Sequence, residues 1–295
     1  MDLNIGFLGS GKVGSALGLF FKEHGLQITG YFSRTPESAV RAALLTQSQA
    51  YGKITDLITH SDVIFITVPD LAIESVAGQA ADLIQQLGPK LPALPCWIHT
   101  SGALSSQSLN QLSQLGCPVG SLHPLLSFGN ANESASRLNQ AFFSFEGCDD
   151  ALSVMRQIMT ATGSQFSLIN EKQKPLVHAG ACIISNYIVT LLESSFRCFE
   201  AAGLDRRQTT PAIYQLIAST LANVQEKGTV EALTGRIVRG DYNTLQIHLQ
   251  ALGEQLLSER GFYKMLVRKT VDMIASKRIS KMQEYNLIQE LIRKL

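Results

Sequence analysis

Up to about residue 170 the chain alternates between short runs rich in β-branched and aromatic residues and longer stretches with apolar residues at helical spacing. LNIGFL (3–8), LQITGYF (26–32), DVIFITV (62–68), CWIHT (96–100), PVGSLH (118–123), AFFSFEG (141–147) and SQFSLI (164–169) read as strands. Between the early ones, positions such as Val13, Leu17 and Phe20-Phe21 mark the inward face of a helix. Strand–helix alternation predicts a mainly parallel, doubly wound sheet with helices on both faces. After Lys174-Pro175 the period changes. Pro175 suits a first helical position and Gly203 a residue just past a helix end. The segment between them would be roughly 40 Å long if helical throughout, with Leu176, Ile183, Tyr187 and Leu191 along one stripe. Further helical patterns follow near 209–226, 243–258, 260–277 and 279–294. The expected organisation is an α/β domain over 1–170 and an all-α domain over 171–295, joined by a short hinge near 168–174.

Composition narrows the class. At 295 residues, 45% hydrophobic and 17% charged, the chain is long and apolar enough for two globular cores. A net charge of +1 indicates no broad basic surface for nucleic acid. No signal peptide is visible at Met1-Asp2-Leu3-Asn4, and no apolar run is read as a membrane span. The five cysteines form no CxxC pair, which fits a reducing compartment, so a cytoplasmic protein is expected. The histidines are scattered without metal-ligand spacing, so no metal is expected.

The chemistry starts at Gly9-Ser10-Gly11-Lys12-Val13-Gly14, a GxGxxG run between the first strand and the first helix. Gly9 permits the tight turn, Gly11 lets the backbone approach a pyrophosphate, and Gly14 allows close helix–strand packing. The anion is held at the helix N-terminus. A site for NAD expects an acidic residue near the end of the second strand, for the ribose hydroxyls. Here that place reads Ser33-Arg34-Thr35, with a guanidinium suited to a 2′-phosphate, so NADP(H) is the expected cofactor. A solvated loop charge is the alternative for Arg34. Val68 and Pro69 close the next long strand where a dinucleotide would lie. Thr100, Ser101 and Gly102 have the same placement one strand on, and His123 at another strand end is a proton donor, a substrate ligand or a satisfied turn residue.

The opening of the long helix adds Lys174, His178, Cys182 and Ser185, which share one face by their spacing, with Asn186 close by. Reduction of a carbonyl or imine needs a proton donor near the acceptor atom, and His178, Lys174 or His123 could serve. Further on, LTGRIVRGDYNTLQIHL contains the tripeptide Arg239-Gly240-Asp241. It reads as a glycine-bounded loop before a helix rather than an adhesion signal, with Asp241 or Asn243 available as a cap. Arg239, Asp241 and then His248 are candidate substrate residues, together with Asn186.

GFLGSGKVGSALG, TVPD, HTSGAL, SLHPLLSF, HAGACIISNYIVTLLE and ALTGRIVRGDYNTLQIHLQAL together resemble the family described as Rossmann-like with a DUF2520 C-terminal domain. The wider relatives are pyrroline-5-carboxylate reductase, coenzyme F420-dependent NADP oxidoreductase and the β-hydroxyacid dehydrogenases. The resemblance implies a two-domain NADP enzyme whose helical domain resembles that of 6-phosphogluconate dehydrogenase, completes the active site and commonly dimerises. The β-hydroxyacid dehydrogenases use a lysine and an asparagine near the start of the equivalent helix; here His178 stands four residues after Lys174 instead. Two departures from the family pattern are Arg236, where proline is common, and Leu126, where glutamine is common. The expected activity is hydride transfer to or from a small C=O or C=N substrate between the domains, with a non-catalytic NADP sensor or scaffold as the alternative. Apolar positions such as Phe262, Met265, Leu266, Val271 and Ile274 add to the expectation of a homodimer.

Overall fold

The computed structural model describes residues 3–233, 242–278 and 290. Its first part is an eight-stranded sheet in the order β3-β2-β1-β4-β5-β6-β7-β8. The strands are β1 (Asn4–Leu8), β2 (Gln27–Phe32), β3 (Gln49–Ala50), β4 (Val63–Ile66), β5 (Cys96–His99), β6 (Val119–Leu125), β7 (Phe142–Gly147) and β8 (Phe166–Leu168). All neighbours pair parallel except β6 and β7. The helices between them are α1 (Lys12–Glu23), α2 (Pro36–Thr46), α3 (Ile54–Thr59), α4 (Ile73–Leu87), α5 (Asn110–Gln114), α6 (Ala131–Leu138) and α7 (Asp149–Thr162). Two elements lie outside the sequence expectation, the short β3 and the six-residue α3. Both are too short for periodicity to reveal.

Each face of the sheet has its own core. One holds Phe7, Leu17, Phe20, Phe21, Tyr31, Phe65, Phe143 and Phe145 beneath α1, α2, α6 and α7. The other holds Leu57, Ile64, Ile73, Ile84, Trp97 and Leu112 beneath α3, α4 and α5. Phe7 stacks on Tyr31 at 5.1 Å and on Phe65 at 5.5 Å between ring centres. Burying each such ring contributes about 1.5–3 kcal/mol. α1 seats its apolar stripe deeply because Gly18 offers no side chain: a Cβ there would lie 1.8 Å from the Tyr31 hydroxyl oxygen.

β1 sits between β2 and β4, so the chain leaves it in one direction and later returns on its other side. That reversal opens a crevice beyond the carboxyl ends of β1 and β4, the place where open α/β sheets bind ligands.

The helical part comprises α8 (Lys174–Ala201), α9 (Arg206–Glu231), α10 (Tyr242–Gln255) and α11 (Leu257–Arg278). α8 ends as expected at Gly203, whose φ is +83°. The Leu204 N–H bonds the Phe199 carbonyl and the Gly203 N–H bonds the Glu200 carbonyl, a six-to-one and five-to-two closure that needs the left-handed residue. Asp205 then caps α9 by accepting from the N–H groups of Arg207 and Gln208. Arg206 forks onto Glu193 and Glu200 and lies 4.7 Å over the Phe196 ring, fastening α8 to α9. Gly228, with φ +77°, breaks the regularity of α9. The expected helix over 279–294 lies outside the described residues, Glu290 apart.

By its contacts the chain forms two compact units, Met1–Ser185 and Asn186–Leu295, so the division falls within α8 rather than at the hinge expected near 170. α8 is also long and apolar enough to cross a membrane by length and composition, with mean hydropathy 1.5 over its most apolar window. This differs from the sequence expectation, in which no apolar run reads as a membrane span. Its stripe is present, yet Leu176, Ile183, Tyr187 and Leu191 are all exposed.

Candidate active site

The glycine run folds into a cradle between β1 and α1. Gly9 has φ +111°, and a Cβ there would lie 2.7 Å from the Thr67 carbonyl oxygen. At Gly14 a Cβ would lie 2.4 Å from Thr67 Oγ1 and 2.6 Å from the Gly9 carbonyl. Thr67 Oγ1 donates to that same carbonyl at 2.8 Å, clamping the end of β4 to the turn after β1. Gly11 is the opposite case: nothing lies within 4 Å of where its Cβ would be. It is the N-cap of α1, and no side chain caps the helix, so the first N–H groups of α1 face open space. With no acidic residue in the first turn, that space favours an anion.

A cavity of about 360 Å³ extends from this cradle to the end of β2. Gly9, Ser10 and Gly11 form one wall, Ser33, Arg34 and Thr35 another, and Thr67, Val68 and Pro69 a third. A chain of hydroxyls ties the first two walls together. Ser10 Oγ and Ser38 Oγ are 2.7 Å apart, and Ser38 Oγ lies 3.0 Å from Ser33 Oγ and 2.8 Å from the Thr35 carbonyl, to which it donates. Ser38 comes from the first turn of α2, which starts with Thr35 as N-cap and Pro36 in the first turn. The loop carrying the exposed Arg34 is thereby set against the glycine turn. These residues fit a dinucleotide, the pyrophosphate at Gly11 and a 2′-phosphate beside Arg34.

Pro69 leads directly to a second cluster. Across three strands His99 lies opposite Ser121, Ser121 opposite Glu146, and His123 opposite Ser144, which puts these side chains on one face of the sheet. His99 is fully buried. Its Nδ1 accepts from the Ser101 N–H at 3.2 Å, so Nε2 carries the proton and bonds the Ser105 carbonyl at 3.1 Å. Burial first, then the nearby Lys174 charge, lowers its pKa to about 4. This neutral imidazole fastens both ends of the loop after β5.

Within that loop the Ser101 hydroxyl donates to Asp70 Oδ2 at 2.8 Å and accepts from the N–H groups of Ala103 and Leu104. Glu146 accepts from both the N–H and the hydroxyl of Ser106. Gly102 presses on two histidines: a Cβ there would lie 2.3 Å from His178 Nδ1 and 2.8 Å from His123 Nε2. The two rings meet edge to face, 5.5 Å between centres.

Lys174, the first residue of α8, is 1% exposed and its Nζ has no hydrogen-bond partner. Burial lowers its pKa to about 8, against the opposing charges of Glu146 and Asp70. One turn on, His178 Nε2 is 3.6 Å from Cys182 Sγ while its Nδ1 is buried and unpaired. His123 Nδ1 is buried and unpaired as well. Burial and the Lys174 charge lower the His123 pKa to about 4, against a hydrogen bond to the Thr100 backbone. Leaving a buried polar atom unsatisfied costs about 1–3 kcal/mol, so three in one cluster mark a place kept for something other than folding.

The structure thus brings His123, Lys174, His178 and Ser101 together from two strand ends and one helix start. Lys12 and Val13 form the first turn of α1, and Gly14 packs beneath the cradle. Thr100 follows β5 beside His123. Asn186 is exposed at the start of the second unit. His248 Nδ1 is 2.9 Å from the Tyr263 hydroxyl, linking α10 to α11 within that unit. Arg239 and Asp241 lie outside the described residues. Asp70, His99 and Glu146 were not among the expected site residues. Among the described residues no group of histidine, cysteine and carboxylate side chains has the geometry of a metal site.

Residues 4–87 match the family described as NADP oxidoreductase coenzyme F420-dependent, and residues 141–270 match the domain of unknown function DUF2520. No curated protein matches the chain. Among solved structures, a protein from Thermotoga maritima is 26% identical, covering 93% of this chain and 99% of its own at a TM-score of 0.71. An imine reductase from Myxococcus stipitatus in complex with NADP+ is 16% identical, covering 99% of this chain and 94% of its own at 0.63. A pyrroline carboxylate reductase from Plasmodium falciparum with NADP bound is 14% identical, covering 99% and 98% at 0.56. The last two likenesses are of fold. The chain thus carries a match to the NADP oxidoreductase model followed by a match to the DUF2520 model, the pairing its motifs led one to expect.

Proposed function

We propose that this chain uses NADP(H) to transfer hydride to or from a small C=O or C=N group, with Lys174 as the proton donor in the reducing direction. The observation that carries the proposal is the buried, unpaired Lys174 amine in one cluster with two unpaired histidine nitrogens. The bound nicotinamide supplies or accepts the hydride. What the protein supplies is a proton at the right place. His123 is held neutral by its surroundings, whereas an ammonium with a pKa near 8 is still charged at neutral pH and gives up its proton readily. The two imidazole Nδ1 atoms orient the reacting heteroatom, and Gly102 fixes the spacing of their rings. Ser101 acts at one remove, because its hydroxyl is committed to Asp70 and two backbone N–H groups.

The two reductases, named for imine and pyrroline carboxylate substrates, support a small unsaturated substrate. Five free cysteines support a cytoplasmic location. The exposed apolar positions of α8 and α9, Ile184, Tyr187, Val189 and Leu216 among them, support a homodimer.

The test is a screen of small carbonyl and imine compounds for NADPH oxidation, repeated with Lys174→Met. Turnover by the wild type that falls about 10²–10⁴-fold in the variant, with NADPH affinity unchanged, is the expected result. The same substitution removes an unpaired buried ammonium and should raise the melting temperature. Tight NADPH binding with no turnover of any compound would leave a sensor or scaffold in place of an enzyme.

A further inference from the structure

We propose that Ser38, which lines no part of the dinucleotide cavity, sets how strongly this chain prefers NADP(H) over NAD(H) by locking the Arg34 loop against the glycine turn. It is a positioning residue, acting through Arg34, and the proposal rests on Arg34 reading the 2′-phosphate.

The two walls that meet at Ser38 are anchored unequally. The glycine turn has bonds of its own. Thr67 Oγ1 donates to the Gly9 carbonyl at 2.8 Å, the Gly9 N–H to the Phe32 carbonyl at 2.8 Å, and the Ser15 hydroxyl to the Ser10 carbonyl at 3.1 Å. Backbone pairing with the turn reaches Phe32 and goes no further. Beyond it the wall is Ser33, Arg34 and Thr35. Arg34 is exposed, and among the described residues no partner holds its guanidinium. Thr35 is the N-cap of α2 by position, yet its side chain makes no capping bond. The aim of the guanidinium therefore depends on what fixes the loop beneath it.

Ser38, the third residue of α2, is the piece that does so. A serine hydroxyl has one proton and two lone pairs. The Thr35 carbonyl can only accept, so it takes the Ser38 proton, at 2.8 Å. Ser33 Oγ lies 3.0 Å away, which brings both ends of the 33–35 loop onto one oxygen. The Ser10 hydroxyl, 2.7 Å off, then donates to a Ser38 lone pair and joins that loop to the turn. Ser10 is 8% exposed, so little water competes for this bond. Among the described residues it is the one side-chain hydrogen bond between 33–38 and the glycine turn. Removing the Ser38 hydroxyl should thus release the loop and leave the pyrophosphate cradle clamped by Thr67. NADH needs only the cradle. NADPH needs the loop as well.

The experiment is titration calorimetry of the full chain with NADPH, NADH and 2′,5′-ADP, with melting temperature as the control for folding. Ser38→Ala should weaken NADPH and 2′,5′-ADP by about five- to tenfold, the value of one lost hydrogen bond. NADH should stay within about twofold, because its contacts are remote from the released loop. Ser38→Thr, which keeps the hydroxyl, should recover most of the NADPH affinity. In an Arg34→Ala background, Ser38→Ala should cost NADPH no more than about a further twofold, since a residue acting through Arg34 has nothing left to position. Equal losses for NADPH and NADH, full additivity with Arg34→Ala, or a Ser38→Thr variant as weak as Ser38→Ala would each overturn the proposal. Arg34→Ala alone, if it left NADPH affinity unchanged, would remove the 2′-phosphate reading itself. Because these are binding constants, the outcome is also separate from whether any substrate is turned over.

Discussion

The two units of this chain treat their apolar residues in opposite ways. In the first, Trp97, Phe7, Phe20, Phe65 and Phe143 are completely buried in two cores, and much of the inside that is polar gathers at one cluster. In the second, Leu245, Val267, Val271 and Ile274 are buried, but Tyr187, Val189, Tyr214, Leu216, Ile247 and Leu257 are each more than half exposed. A sheet with helices on both faces closes a core within one chain. Helices with apolar residues on several sides need further cover, and ion pairs such as Arg206 with Glu193 and Glu200 hold them in the meantime. The first unit therefore carries its chemistry on cores closed within itself, while the second leaves large apolar side chains uncovered.

The contrast can be broken from either side. The largest effect should come from Gly14→Val, which forces a branched side chain against Thr67 Oγ1 and the Gly9 carbonyl. NADPH affinity measured by calorimetry should fall at least about 100-fold, roughly 2.7 kcal/mol. Affinity within a few-fold of wild type would mean that the cradle yields and that the first unit is less tightly built than described. Next comes the helical side. Val189→Asp combined with Leu216→Asp should convert a dimer into a monomer at micromolar concentration, seen by size exclusion with light scattering, since a stable interface buries roughly 800 Å² per partner. A wild type that is already monomeric would end the idea of a second copy as the cover.

A smaller loss is expected at the cavity wall. Arg34→Ala should weaken NADPH by about tenfold, the value of one charge-assisted contact, and leave NADH unaffected. Equal losses for both would show that Arg34 does not read the 2′-phosphate. The pH dependence should be gentlest. Lys174 donates only as an ammonium, so the reductive rate should be level below its pKa of about 8 and decline by about tenfold per unit above it. On the acid side His99 and His123, depressed to about 4, contribute stability above the ordinary histidine value of about 6.5 that is lost as pH falls through that window. A melting temperature flat between pH 6.5 and 4 would contradict their burial as neutral groups.

Much of the first unit was legible in the sequence because its signals are local. The glycine run, the hydroxyl–guanidinium–hydroxyl stretch at 33–35 and the strand ends at 68 and 100 need only chain order to be placed. Lys174 and His178 were visible as polar positions at the start of an apolar helix. Glu146 was not, because its partner Ser121 follows from the antiparallel register of β6 and β7, which no local pattern announces. Asp70 stood in plain view within TVPD, but its bond to Ser101 joins two strand ends thirty-one residues apart. His99 was hidden by its strand, where a buried polar residue resembles any other inward position until its partners are known. The α8 stripe was read correctly as apolar; periodicity cannot say whether such a face meets the same chain or another one.

The reversal of β7 carries a consequence for how this protein can diverge. β7 leaves the sheet toward the amino end of β6, so the connection into α7 departs on the side away from the strand ends that carry Ser101 and Asp70. Insertions at Cys148, where the chain enters α7, should pass unnoticed by the chemistry, whereas Gly147, whose Cβ would meet the Gly120 backbone at 2.6 Å, tolerates nothing. New substrate preferences should therefore accumulate in the loops after β4 and β5, while the α7 end drifts freely.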